Sequence, residues 1–147
     1  KDSNGTSNVL NLTCLNSTTL EVREWYPYEI HYEFTPCRNG FRCDEQPAMI
    51  TEPKTVEFNE PCATKIATYD GSGIATYIQE VGNYHWSVQW QNGQACGSDG
   101  PPLWIRVYFN CAPGQIGYIR DVGGYGNCGT LMEVYTQYAC PNNTYTC

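Results

Sequence analysis

The chain alternates apolar and polar residues in short runs with a period of two. Tyr28, Ile30, Tyr32 and Phe34 are interleaved with Glu29, His31 and Glu33. Trp86, Val88 and Trp90 are interleaved with Ser87, Gln89 and Gln91. Leu103, Ile105, Val107 and Phe109 are interleaved with Trp104, Arg106, Tyr108 and Asn110, and Met132 and Val134 carry the pattern on within Leu131 to Thr136. Successive side chains of a strand point to opposite faces, so each run buries one set and leaves the other to solvent or a second layer. Turn signals separate the runs: Asp70-Gly-Ser-Gly, Asn92-Gly, Ser98-Asp-Gly-Pro-Pro, Ala112-Pro-Gly and Gly123-Gly-Tyr-Gly. Many short strands at near-regular spacing predict an all-β fold, a flattened antiparallel barrel or sandwich. One short helix is predicted over Thr18 to Trp25, capped by Thr18 or Thr19, with Glu21 and Glu24 in its first turns. Pro47 to Pro61 is the most loop-like internal stretch.

Composition narrows the class. At 147 residues the chain makes one ordinary domain, and 41% hydrophobic residues suffice for a core. A net charge of −7 excludes nucleic acid or an anionic membrane as a partner held through a basic patch. The apolar runs are too short for direct membrane insertion. Lys1 to Asn8 is polar and does not read as a signal peptide. The expectation is a mature or excised lumenal piece, with any anchor or further domain outside it. Nine cysteines point to an oxidising compartment. Sequons at Asn4, Asn11, Asn16 and Asn142 agree with it as glycosylation sites.

The cysteines are Cys14, Cys37, Cys43, Cys62, Cys96, Cys111, Cys128, Cys140 and Cys147. None forms a Cys-x-x-Cys, which argues against zinc ribbons and redox motifs, and spacing alone does not choose a pairing. Cys128-Gly-Thr-Leu-Met-Glu-Val-Tyr-Thr-Gln-Tyr-Ala-Cys140 resembles the closing motif of mannose 6-phosphate receptor homology (MRH) domains, with Thr136, Ala139 and Cys140 at the Thr-x-x-Ala-Cys spacing. Trp90 to Cys96 resembles the family's aromatic-x-x-Gly-x-x-Cys segment, and Ile105 to Cys111 its apolar strand ending in Cys. The step from Cys37 to Cys43 also fits. The resemblance implies a single MRH-like domain over residues 14–140, between a glycosylated N-terminal segment (1–13) and a C-terminal tail (141–147). It implies about four disulfides, Cys14–Cys37, Cys43–Cys62, Cys96–Cys128 and Cys111–Cys140, with Cys147 unpaired.

Sugar-binding members of the family use a Gln, an Arg, a Glu and a Tyr, whose directional hydrogen bonds meet the hydroxyls of mannose. By the resemblance, Thr130 stands where the Tyr is expected, Leu103 near the Arg, Ala63 and Thr64 near the Gln. Gly123 to Asn127 holds no acid where the Glu is expected, and Asp121 is the nearest one. Arg106 lies three positions past Leu103, which in a strand turns it to the opposite face.

Other chemistry is sparse. His31 and His85 lack the sequence context of a catalytic triad, and His31 falls on the polar side of its run. A pH-sensing His suits an acidifying compartment, beside the plainer expectation of surface histidines. Gly124-Tyr-Gly-Asn-Cys-Gly129 leads into a strand rather than a helix, so it does not cradle a phosphate. Asp44, Glu45, Glu52, Glu57 and Glu60 lack the spacing of a calcium loop. The expectation is therefore no catalytic residue, no cofactor and no metal. Candidate ligand contacts are Arg106, with Arg120, Asp121 and Tyr125 on a glycine-rich loop that also carries Tyr118.

The resemblance implies a non-enzymatic, lumenal or extracellular recognition domain of a receptor-like or sorting protein, in the Golgi, endosome or lysosome. With the usual four residues displaced, its ligand is expected to be a protein, or a glycan held differently. One alternative is a mannose or mannose 6-phosphate lectin for lysosomal enzyme sorting or glycoprotein quality control, with Gln94, Arg106 and Glu133 at its site. Another is a structural lumenal module of a membrane protein.

Overall fold

In a computed structural model of the chain, residues 12–15, 18–24, 30–43, 46–52, 64–80, 83–126 and 128–140 are described. The alternating runs form strands. β1 (Leu20–Glu24), β2 (Ile30–Phe34), β5 (Ile50–Glu52) and β6 (Thr64–Ala67) make a four-stranded sheet in the order β1-β2-β5-β6. β7 (Ile74–Glu80), β8 (Asn83–Trp90), β9 (Trp104–Cys111), β10 (Tyr118–Tyr125) and β11 (Gly129–Thr136) make a five-stranded sheet in the order β10-β11-β9-β8-β7. β3 (Phe41–Cys43) and β4 (Gln46–Ala48) form a small separate hairpin.

The segment read as a helix over Thr18 to Trp25 contains β1 instead. Leu20 and Val22 alternate with Glu21 and Arg23, and the register sets Leu20 opposite Phe34 and Val22 opposite Tyr32. Pairing both apolar side chains onto the core outweighs the capping signal of Thr18 and Thr19, because burial against a sheet needs the period of two. The N-terminal helical turn is a 3-10 turn at Thr13–Leu15, which plugs the fully buried Leu15 into the fold.

The two sheets pack face to face. Phe34, Ile50 and Ile66 from one meet Val88, Trp90, Val107, Phe109 and Met132 from the other in a single core. Phe34 lies edge-on to Trp90, ring centroids 6.5 Å apart, and 6.2 Å from Phe109. Burying each such side chain contributes about 1.5–3 kcal/mol.

One pairing departs from the antiparallel expectation: β11 runs parallel to β9, from Gly129 opposite Trp104 to Thr136 opposite Cys111. Parallel neighbours share their ends, and a disulfide sits at each end. Cys96–Cys128 closes the start of the pair, where the N–H of Trp104 donates to the carbonyl of Cys128 at 3.0 Å. Cys111–Cys140 closes the other end.

The pairing Cys14–Cys37 is not formed. Cys37 is a free thiol and Cys14 is disulfide-bonded to another partner. Cys37 occupies a turn at φ 64°, and its half-buried thiol is pushed above the ordinary cysteine pKa by desolvation. The proposed partner Cys62, the side chain of Cys43, Cys147, the sequons at Asn4, Asn11, Asn16 and Asn142, and most of the terminal segments lie outside the described residues. Among the described residues no helix is long and apolar enough to cross a membrane.

Candidate functional site

The side of the five-stranded sheet turned away from the core is polar, and its register determines which side chains meet. Gln89 of β8 stands opposite Arg106 of β9, and Arg106 opposite Leu131 of β11. One step along, Ser87, Tyr108, Glu133 and Asp121 form a second row across β8, β9, β11 and β10. Cross-strand pairs on one face lie close enough for direct contact. Arg106 uses it: its Nε and Nη2 both donate to the side-chain oxygen of Gln89, at 3.1 and 2.6 Å. This fork holds the half-buried guanidinium in place and leaves its other donors, and the Gln89 amide, to a ligand.

Above this pair runs an open groove of about 380 Å³, lined by Ile74, Thr76, Ile78, Ser87, Gln89, Gln91 and Arg106. It continues toward Asp70 and Ser72 in the turn before β7 and Asn92 in the loop after β8. Ser72 and Asn92 donate to Asp70 and hold its carboxyl below the usual carboxylate range. On the far side of β9 a second depression of about 200 Å³ is lined by Tyr108, Asp121, Gly123, Gly124, Leu131 and Glu133. Open space lies over Gly123 and Gly124, where a Cβ would meet nothing within 4 Å.

No family model matches the sequence, and no curated protein matches it. Solved structures do match the fold. The MRH domain of Yos9 complexed with alpha3,alpha6-Man5 superposes with a TM-score of 0.59 at 11% identity, covering 88% of this chain and 80% of that one. The MRH domain of glucosidase II beta bound to mannose superposes with a TM-score of 0.51 at 14% identity, covering 87% of this chain and 98% of that one. The chain has an MRH-like fold.

Within this MRH-like fold the residues singled out above separate. Arg106 and Glu133 share the polar face, as the register shows, and Asp121 joins them. Arg120 is the extra residue at the register shift between Ile119 and Asp121, so Asp121 and not Arg120 stands opposite Glu133. Arg120 reaches Tyr135, two positions further along β11, whose hydroxyl accepts from its Nη1 at 2.8 Å and whose ring lies 5.4 Å from it. That bond raises the Arg120 pKa further. Gln94 is engaged elsewhere, its side-chain oxygen accepting from the N–H of Lys65 at 2.9 Å. The Tyr125 side chain lies outside the described residues. Leu103 packs against the core and Thr130 is buried, so neither presents a side chain to the groove. His85 is buried with its ring against Tyr108, centroids 6.0 Å apart.

Sequence reasoning missed Gln89 and Tyr108. Both stood on the polar side of their runs, which was the available signal. That Gln89 faces Arg106 is a statement about register between strands, and a period of two carries no register.

Proposed function

We infer that this chain is a lectin-like recognition domain of the secretory lumen or cell exterior, and that it takes a glycan in the groove floored by Arg106 and Gln89. The observation that carries the reading is the two-pronged hydrogen bond from Arg106 to Gln89. It fixes a cluster of N–H donors under an open groove, which suits the oxygen-rich edge of a sugar. Ile74 and Ile78 offer an apolar wall to the C–H face of the ring, and Ser87, Thr76 and Gln91 add hydroxyl and amide partners. Glu133 and Asp121 accept hydroxyl protons from a second sugar unit. Their charge and the net −7 of the chain disfavour a phosphorylated glycan, so a neutral, mannose-type glycan is the better fit. The MRH-like fold and its likeness to domains solved with mannose and alpha3,alpha6-Man5 support the same class. The disulfides Cys96–Cys128 and Cys111–Cys140, with the bonded Cys14, suit an oxidising compartment, and a Golgi, endosomal or lysosomal sorting role follows from the same reading.

The test is a glycan array with the disulfide-intact domain at pH 7 and pH 5, repeated with Arg106→Ala and Gln89→Ala. Binding to neutral high-mannose glycans that free mannose competes away, and that Arg106→Ala abolishes, is the expected result. A folded sample that binds no glycan, or binding indifferent to Arg106→Ala, overturns the reading.

A protein ligand is the second reading, favoured by one patch. Tyr118 and Tyr135 stack with centroids 5.5 Å apart and interplanar angle 12°, Arg120 caps Tyr135, and the large side chains of Tyr118 and Ile116 are exposed. Tyr and Arg in such clusters often carry protein–protein binding energy. Tyr118→Ala lowers capture of a lumenal protein under this reading and leaves the glycan array unchanged.

A further inference from the structure

On the opposite side of the barrel, the four-stranded sheet turns a second polar cluster away from the core. Glu21 and Glu33 are direct cross-strand partners in the β1–β2 register, and His31 is on the same face one step diagonal to Glu21. Like charges placed directly opposite destabilise a strand pair unless a cation lies between them. His31 Nε2 is 2.8 Å from a Glu21 carboxylate oxygen and 3.6 Å from one of Glu33. All three ligand atoms lie within 4.8 Å of one another. Yet Nε2 is closed off from solvent and makes no aligned hydrogen bond, although the His31 side chain is only 11% exposed. The Glu21 oxygen is within hydrogen-bond distance but forms no hydrogen bond with it, and the Glu33 oxygen is farther away. Two ligand atoms bound at about 2.1 Å to one tetrahedral ion stand about 3.4 Å apart, and about 3.0 Å at a right angle. The two observed separations bracket those values.

A second observation points the same way. Thr51 stands opposite Glu33 in the β2–β5 register and is 1% exposed, and its hydroxyl has no hydrogen-bond partner. A buried, unpaired hydroxyl costs about 1–3 kcal/mol. Thr51 is the cross-strand partner of Glu33, so its unpaired hydroxyl is available to support that carboxylate when a metal holds it, the usual outer-shell role.

We propose that Glu21, His31 and Glu33 form a Zn2+ site with water completing the coordination. One imidazole with two carboxylates suits Zn2+, whereas Ca2+ takes six to eight oxygens, which this cluster does not offer. Among the described residues Arg23 is a charged neighbour on the same face, its Nη2 3.2 Å from His31 Nδ1, and Lys65 lies further along the row opposite Thr51. Zn2+ on Nε2 puts the ring proton on Nδ1, so that atom no longer accepts from Arg23. The site is independent of the glycan groove, which lies on the other sheet.

The experiment is calorimetric titration of Zn2+, with Ca2+ as control, into the metal-stripped, disulfide-intact chain near pH 7. The expected result is saturable uptake of one Zn2+ per chain and none of Ca2+. His31→Gln and Glu33→Gln each weaken it by roughly tenfold or more, while Cys37→Ser, which removes the free thiol, leaves it unchanged. In the unsubstituted protein the His31 Nε2 resonance shifts as Zn2+ is added, a readout that needs no variant to fold. Absence of saturable uptake, uptake indifferent to His31→Gln, or an unmoved Nε2 resonance overturns the proposal and leaves an Arg–His–Glu ion network on the sheet.

Discussion

The hydroxyl of Thr136 donates to the carbonyl oxygen of Ile116 at 2.6 Å and accepts the N–H of Tyr138 at 3.3 Å. Thr136 is fully buried opposite Cys111, at the end of the parallel pair. One side chain thus ties the loop before β10 to the 3-10 turn at Gln137–Ala139 that leads into Cys140. This gives the threonine of the Thr-x-x-Ala-Cys motif a structural role: its oxygen both caps the turn and pins the loop.

Thr136→Val keeps the shape and removes both bonds. The buried N–H of Tyr138 then has no side-chain acceptor. The expected cost is about 1–3 kcal/mol, read as a lower denaturant midpoint at unchanged slope. Thr136→Ser keeps the hydroxyl and retains most of that stability.

Gly93 explains the glycine of the aromatic-x-x-Gly-x-x-Cys segment. A Cβ there would lie 2.4 Å from the carbonyl oxygen of Ile66 and 2.8 Å from Leu103. The close approach lets the N–H of Gly93 donate to the carbonyl of Leu103 at 3.0 Å, joining the loop after β8 to the segment entering β9. Gly93→Ala pushes against backbone rather than a flexible side chain, so it costs about 1–3 kcal/mol or more. A melting temperature unchanged by the substitution contradicts this account.

Much of the architecture was legible because burial repeats every second residue. β2, β8, β9 and β11 follow the runs in which Phe34, Val88, Val107 and Val134 alternate with polar neighbours. β1 was misread because Thr18, Thr19, Glu21 and Glu24 imitate a capped helix, and only the opposing Phe34 and Tyr32 decide for a strand. The candidate sites were less legible. Gln89 meets Arg106, and Glu21 meets Glu33, through strand pairing across 17 and 12 residues of sequence. Asp121, not Arg120, stands opposite Glu133 because of a register shift, which no residue pattern announced.

The disulfide arrangement makes a prediction for peptide mapping without reduction. Cys96–Cys128 and Cys111–Cys140 peptides are recovered linked, and Cys37 is recovered as a thiol, alkylated more slowly than an exposed cysteine because burial raises its pKa. The sequence separations of 32 and 29 residues are nearly equal, so chain entropy predicts nearly equal losses, about 2–4 kcal/mol, when either pair is replaced by alanines. A clearly larger loss at Cys111–Cys140 would assign the excess to packing around the buried Cys140. A Cys14–Cys37 peptide in the map would contradict the free thiol.

Asp70 gives the groove a pH signature. The side chain and N–H of Ser72, with Asn92, hold its carboxyl below the ordinary value, and the N–H of Ser72 donates to Oδ1 at 2.9 Å. A carboxyl whose pKa is lower folded than unfolded stabilises the fold above the unfolded pKa. That contribution is lost as the pH falls through the folded one. The group is exposed, so the contribution is small and shrinks with salt. Asp70→Asn keeps an acceptor oxygen and loses the titration. Its stability therefore falls less than that of the parent between pH 5 and pH 2, with little difference between pH 7 and pH 5. The parent keeps the charge at the groove's end across the pH range of an acidifying compartment. Ligand affinity in the groove that drops between pH 7 and pH 5 must then come from another group, and an Asp70→Asn variant with the same drop identifies that case.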